Sequence, residues 1–294
     1  MNFLVTGASG FLGRPLLEAI ESAGHRWTAL SRAPKPGFFA WPDPAKAPPP
    51  EALEGCQTVV HLAGEPVAQR WSAAVKRRIR SSRVESTAAL VEAFSHMTRP
   101  PRTLICASAI GFYGDRGDEI LNEQSPPGAG FLPDTCLAWE REAARAAVFG
   151  IRVVQLRIGI VLGPGGGALE KMLPPFRLGL GGPLGSGKQW MSWIHLDDLV
   201  RMILWAAEHP SLKGPVNGVA PEPARNLDFT RELAAVLRRP AVFPVPAFSL
   251  KLLYGEMASV LLASARVVPE VAQQQGFTWN FASLGGALRA AVLP

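Results

Sequence analysis

Val5-Thr-Gly-Ala-Ser-Gly-Phe-Leu-Gly13, directly behind the apolar start Met1 to Val5, is the stretch whose reading decides the fold. It reads as a short buried strand that runs into Gly7, Gly10 and Gly13, with a helix opening on the last two. The spacing suits a pyrophosphate. Gly7 permits the tight turn, Gly10 lets backbone N–H groups approach the phosphates, and Gly13 lets helix and strand pack closely. The helix N-terminus adds unpaired N–H donors and the positive end of its dipole. A strand precedes the triplet and the amphipathic run Phe11, Leu12, Leu16, Leu17, Ile20 follows it, which is the context a dinucleotide site needs. Ser9, Phe11 and Leu12 lie inside the turn and join the glycines as candidate contacts.

Outward from this turn the chain alternates between two patterns. Strands are predicted over 2–6, 26–30, 57–62, 102–107 and 152–157, with helical patterns near 11–22, 72–97 and 134–148. Such alternation implies right-handed βαβ units and an α/β, doubly wound parallel sheet covered on both faces. Seven prolines between 34 and 50 predict an extended loop there. Beyond about residue 160 the texture changes to the glycine-rich stretches Gly163–Gly167 and Gly179–Gly187. Helical patterns follow at 195–208, 226–238 and 247–264. This half reads as mainly a second lobe closing over the cofactor, with a ligand between the lobes beyond the strand ends.

At 294 residues the chain can bury a large core. It has no run of about 20 apolar residues, and its N-terminus shows no basic leader, so neither a membrane partner nor a signal peptide is expected. Cys56, Cys106 and Cys136 match no metal spacing and read as reduced thiols in a cytoplasmic protein. The net charge of +6 raises a nucleic-acid reading, and Lys76, Arg77, Arg78, Arg80 and Arg83 form its densest cluster. No nucleic-acid motif accompanies the cluster, so no nucleic-acid partner is expected; it reads as a solvated helix face, part of which an anionic dinucleotide could also use. Gly182-Pro-Leu-Gly-Ser-Gly-Lys-Gln189 approximates a phosphate loop but lacks the magnesium-holding hydroxyl, and an extended stretch follows it, so it is rejected.

The second strand, Arg26-Trp-Thr-Ala-Leu30, ends in Ser31-Arg32, and no acidic residue follows until Asp43. In this fold a carboxylate at that place takes the adenosine ribose, whereas an arginine accommodates a 2′-phosphate through paired, charge-assisted bonds. The expected cofactor is therefore NADP(H).

Five further stretches carry a family resemblance: Val59-Val-His-Leu-Ala-Gly64, Ala107-Ser-Ala-Ile-Gly-Phe-Tyr-Gly114, Leu156-Arg-Ile-Gly-Ile-Val-Leu-Gly-Pro164, Trp193-Ile-His-Leu-Asp-Asp-Leu199 and Asn217-Gly-Val-Ala-Pro221. With the first glycines they resemble the extended short-chain dehydrogenase/reductases, and more closely the epimerase-family branch known as family 39U. The resemblance runs over essentially the whole chain. It implies a Rossmann domain over 1–164, rejoined by 193–222, and a smaller C-terminal substrate lobe from 165–192 and 223–294. It also implies that Ser31 and Arg32 face the adenosine end and that Leu62, Ala63 and Gly64 line the adenine–ribose side. Arg83 becomes a further cofactor contact, Ile160 lies near the nicotinamide, and Ala107 and Ser108 sit beside its ribose. An unidentified small molecule is the implied substrate, and a homo-oligomer is left open.

The chain departs from this pattern at the chemistry. The wider superfamily uses a tyrosine four residues before a lysine on one helix face. Only two tyrosines exist here, and Tyr113 is followed four later by Gly117, Tyr254 by Ala258. Leu132 and Cys136 occupy the pair's places if Trp139-Glu140 marks the end of that helix. The usual catalytic hydroxyl position is Ala109, one after Ser108. Substitute acid–base candidates are Tyr113, Ser108, Glu140 and His195, each weighed against core packing, cofactor-side bonding, ion pairing or a bond joining the lobes. Trp190 and Trp193 are read as cleft wall or core. Two functions stay open: an oxidoreductase or epimerase, and a non-catalytic NADP(H)-binding sensor.

Overall fold

The computed structural model describes residues 1–33 and 36–293, so Pro34, where the expected proline-rich loop begins, and Pro294 at the end of the second lobe lie outside the described residues. Seven strands form the central sheet: β1 (Asn2–Thr6), β2 (Arg26–Ser31), β3 (Phe38–Ala40), β4 (Thr58–His61), β5 (Thr103–Ala109), β6 (Arg152–Ile158) and β7 (Gly214–Gly218). Their order across the sheet is β7-β6-β5-β4-β1-β2-β3 and every pairing is parallel. This is the doubly wound, Rossmann arrangement, and the strand order reverses between β1 and β4.

Alternating side chains explain why both faces are covered. Val5, Val60, Ile105 and Val154 point to one face, where they meet α1 (Gly13–Ser22) and a later helix, Leu196–Glu208. Their neighbours Leu4, Val59, Leu104 and Val153 point to the other, against α2 (Ala73–Ser95) and α3 (Phe131–Ala144). Five strands stand within two residues of their predicted places. Two were not predicted. β3 is only three residues inside the proline-rich segment, and β7 begins Gly214-Pro215, a pair that reads as a turn. A proline is tolerated there because β7 is the sheet edge, where one side of the backbone needs no partner.

Outside the central sheet the chain builds three two-stranded ladders, 160–162 with 193–195, 190–191 with 224–225, and 120–121 with 266–267. These pack with α4 (Gly167–Arg177), α5 (Leu196–Glu208), α6 (Asn226–Leu237), α7 (Ala247–Tyr254) and α8 (Leu284–Val292). A separate core of Leu162, Leu173, Phe176, Met191, Trp193, Phe229 and Leu288 holds this part together. Trp193 is therefore core, whereas Trp190 is half-buried between the guanidinium groups of Arg225 and Arg266, 4.4 and 4.5 Å from its ring centre. The expected helix over 247–264 is broken at Gly255, whose φ is +61°.

Candidate functional site

At the carboxyl ends of β1, β2 and β4 lies a cavity of about 560 Å³, a volume suited to a cofactor-sized ligand. Gly7, Ser9, Gly10, Ser31, Arg32, Leu62, Ala63 and Gly64 all line it, so eight of the predicted cofactor contacts converge. Gly7 has φ +70°, and a Cβ there would stand 2.8 Å from the Leu62 carbonyl carbon. Only glycine lets the end of β1 turn this close to the end of β4. A Cβ on Gly13 would collide with the Gly7 carbonyl oxygen, the close helix–strand approach that the spacing predicted. Gly10 differs, because its added Cβ would meet only the Gly7 oxygen, at 3.1 Å. The turn is thus a cradle whose outer lip must stay bare.

The floor of the cavity is fixed by a relay that sequence reading missed. The Thr6 hydroxyl oxygen accepts the N–H groups of Leu62 and Ala63, both at 3.2 Å. Its own proton goes to His61 Nδ1 at 2.7 Å. His61 Nε2 lies 3.2 Å from Ser86 Oγ, whose proton goes to the Ser82 carbonyl at 2.7 Å. Ser86 must therefore accept, which makes His61 the neutral Nε2–H tautomer. Burial, with help from the Arg83 charge, pulls its pKa from 6.5 down to about 4. A histidine held neutral in the folded state takes up its proton first when unfolded. Stability should therefore be full above about pH 6.5 and fall as the pH drops toward 4, by on the order of 3 kcal/mol from this group alone. Denaturant melts of the parent and of His61→Gln at several pH values test this, since the variant should lose that part of the acid slope.

The proposed proton donors are in another condition. Ser108, Arg157 and Asn217 lie side by side in register on β5, β6 and β7. Ser108 Oγ donates to Glu140 Oε1 at 2.6 Å, and Arg157 holds both Glu140 oxygens at 2.9 Å. Arg157 Nη1 also donates to the Tyr113 hydroxyl at 3.0 Å, which itself lies 2.7 Å from Asn217 Oδ1. All five residues are buried, Tyr113 and Asn217 with 0 % exposure. Of the two readings of Tyr113, acid–base candidate or core packing, the structure places it in the core. Its ring packs with Phe112, Leu121 and Val267, and burial pushes its pKa up to about 12. Glu140, expected on a helix face, is an interior ion-pair partner, and Ser108 is its donor instead of a cofactor-side hydroxyl. Glu123 closes the cluster by accepting the Asn217 N–H at 2.9 Å, and burial raises its pKa as well.

His195 is also buried. Its Nδ1 accepts the Asp197 N–H at 3.2 Å and so caps α5, its ring lies 3.9 Å from that of Phe281, and burial lowers its pKa. The bond joining the two parts comes from Asp198 instead, which accepts the N–H groups of Asn280 and Phe281 at 2.8 and 2.9 Å. Cys136 is inert, its thiol pushed up to about 12 by burial.

The remaining predicted contacts divide. Phe11 is turned away from the cavity and fills the bend made by Gly163, Gly166 and Gly167, which explains that glycine-rich stretch; the Leu12 side chain packs on the core. Ala107 is buried in the sheet and Ile160 half-buried on the ladder with Trp193, so neither lines the cavity. Arg83 lies behind Gly64, donates to the carbonyls of Glu65 and Ile79 at 3.0 Å, and rests 5.3 Å from the Trp139 ring. Of the basic cluster around it, Lys76 pairs with Glu256 at 2.9 Å and Arg78 lies 3.5 Å from Glu65, while Arg77 and Arg80 are exposed on the helix face. The cavity also recruits Trp41, Asp43, Arg78 and Ser82, which the chain order hid. Asp43 turns its carboxylate to its own loop, accepting the Ala45 N–H at 3.2 Å and facing Lys46 at 3.6 Å.

Comparison with known proteins gives a consistent result. The model of the NAD dependent epimerase/dehydratase family matches residues 3–218, and a domain of unknown function (DUF1731) matches 245–291. The chain is 40 % identical to the Arabidopsis thaliana "epimerase family protein SDR39U1 homolog, chloroplastic", over 99 % of this chain and 86 % of that protein. The crystal structure of human epimerase family protein SDR39U1 with NADPH superposes with a TM-score of 0.92 at 35 % identity, covering 99 % of both chains. A Corynebacterium glutamicum nucleoside-diphosphate sugar epimerase gives 0.81 at 36 % identity, over 99 % of this chain and 58 % of that one.

Proposed function

The chain belongs to the NAD dependent epimerase/dehydratase family, and on that premise we propose that it binds NADP(H) and acts as an oxidoreductase or epimerase on a small molecule. One observation carries this: the bare-lipped glycine cradle opens into a cofactor-sized cavity that Ser31 and Arg32 also line. The relative solved with NADPH supports the same choice. The cradle N–H groups would hold the pyrophosphate, and Arg32 the 2′-phosphate. The bound cofactor would supply hydride transfer. Residues 1–164 with 193–222 would form the cofactor domain, and 165–192 with 223–294 the substrate lobe. Three buried reduced thiols fit a cytoplasmic setting.

NADPH should bind more tightly than NADH. Arg32→Ala should remove most of the difference, since a charge-assisted bond contributes about 1.5–3 kcal/mol. Calorimetric titration of both cofactors tests this, and equal affinities in the parent would sink the choice of NADP(H).

A second reading, a non-catalytic NADP(H) sensor, is favoured by the burial of Ser108, Tyr113, Glu140 and His195. Oxidation of NADPH with any member of a broad carbonyl and sugar-nucleotide panel decides for the enzyme. Tight binding with no turnover across the panel decides for the sensor.

A further inference from the structure

The C-terminal half carries an apolar face that the cofactor cavity does not explain. Half of the large apolar side chains exposed among the described residues come from two short segments, with Leu178 and Leu180 on one and Val242, Phe243, Phe248, Leu252 and Leu253 on the other. The segments are neighbours in space. Phe243 N donates to the Gly181 carbonyl at 3.2 Å, Val245 N to Pro183 at 2.9 Å, and Gly185 N to Val245 at 2.8 Å. Helix α7 follows at once. Its Leu250 faces the core at 4 % exposure, while Phe248 and Leu252, two residues to either side, project from the opposite face at 72 % and 77 %. An apolar row of this length in water is costly unless something covers it.

Charge says what covers it. No Asp or Glu occurs between Lys171 and Asp197, nor between Glu232 and Glu256, whereas Arg177, Lys188, Arg238, Arg239 and Lys251 all fall in those intervals. The nearest carboxylates from other segments have basic partners: Glu256 pairs with Lys76 at 2.9 Å, Asp118 with Arg225 at 3.1 Å, and Asp228 lies 3.8 Å from Arg231. The two segments are thus apolar, with cations and no carboxylate of their own. A two-fold dimer would lay this patch on its own copy and bring like charges together. An anionic surface with an apolar interior complements both features. Lys and Arg meet the headgroups while Phe and Leu enter the headgroup–acyl boundary.

We propose that this face, formed by residues 177–189 and 238–254, docks on an anionic lipid bilayer. No helix among the described residues is long and apolar enough to cross a membrane, and peripheral docking needs none. None of the residues lining the dinucleotide cavity belongs to the face, so docking and cofactor binding are separable. The inference stands independently of the proposed function.

The test is sedimentation of the full chain with vesicles of phosphatidylcholine alone or with about 30 % phosphatidylglycerol. The partition coefficient should be at least roughly tenfold higher on the anionic vesicles and should fall with added salt. Phe248→Ser with Leu252→Ser, and separately Arg238→Glu with Arg239→Glu, should each lower it about fivefold or more, with the melting temperature and NADPH titration unchanged. Equal partition onto the two vesicle types overturns the proposal, as does partition that neither variant lowers. A dimer in analytical ultracentrifugation that Phe248→Ser with Leu252→Ser dissociates, without vesicle binding, assigns the face to self-association instead. Retention on immobilised polyglutamate without vesicle binding assigns it to an acidic protein.

Discussion

Gly10→Val should give a folded chain that has lost NADPH. Gly10 lines the cavity, and nothing in the protein presses on it except the Gly7 carbonyl oxygen, 3.1 Å from an added Cβ. A few tenths of an ångström of movement accommodates the Cβ. The two methyl groups beyond it would then stand where a pyrophosphate must approach the backbone. The affinity loss should be at least roughly 100-fold, the scale of two lost charge-assisted bonds. The melting temperature should fall by no more than a few degrees, as for most substitutions facing open space. Gly7→Ala should do the reverse, because its φ of +70° and the 2.8 Å approach to Leu62 penalise any side chain in the folded state itself. Isothermal titration and thermal melts on the two variants separate the roles. A Gly10→Val chain that is folded and binds NADPH normally would show that this turn does not hold the phosphates.

The same glycines show how far the sequence carries the argument. Their spacing, the strand before them and the helix after them are all local, so both the turn and the sheet around it were legible. The place of Ser31 and Arg32 on the cavity was legible too, because they stand at the end of β2 and just beyond it. Trp41, Asp43 and Ser82 were not, since they reach the cavity from a proline-rich segment and from the far helix α2, and Arg78 was visible only as one of a basic cluster that a dinucleotide could use. The His61 relay joins β1, β4 and α2 through three side chains far apart in sequence. A histidine inside the apolar run Thr58–His61 was its one visible sign. The burial of the acid–base candidates was hidden for a related reason. Residue type nominates a donor, but availability depends on what the fold packs around it. Gln155 and Arg157, alternating among the apolar residues Val153 to Ile158, were the overlooked signal that a polar network lies on that face of β6.

Removing the Glu140 carboxylate should be the most destabilising single change in that network. Among the described residues Glu140 is the sole carboxylate on the buried Arg157 guanidinium, which it holds through two bonds of 2.9 Å, and Arg157 stays 4 % exposed. Glu140→Ala therefore leaves a buried charge without its counter-ion and orphans the Ser108 hydroxyl as well. Breaking a buried pair from one side costs about 3–5 kcal/mol. For a chain of this size that lowers the melting temperature by roughly 10 °C. Glu140→Leu combined with Arg157→Met removes both charges and should recover much of the loss, because two charges no longer have to be kept out of water. Failure of the pair to recover would mean that the remaining polar partners, the Tyr113 hydroxyl and Asn217, depend on Arg157 more than Glu140 does. The double variant also bears on chemistry. Ser108 and Tyr113 lose their charged partners in it, while the cavity at β1, β2 and β4 is untouched. If the parent turns over a substrate and the double variant keeps both that rate and its NADPH affinity, the network is framework, and the proton donor must be sought among residues that face the cleft.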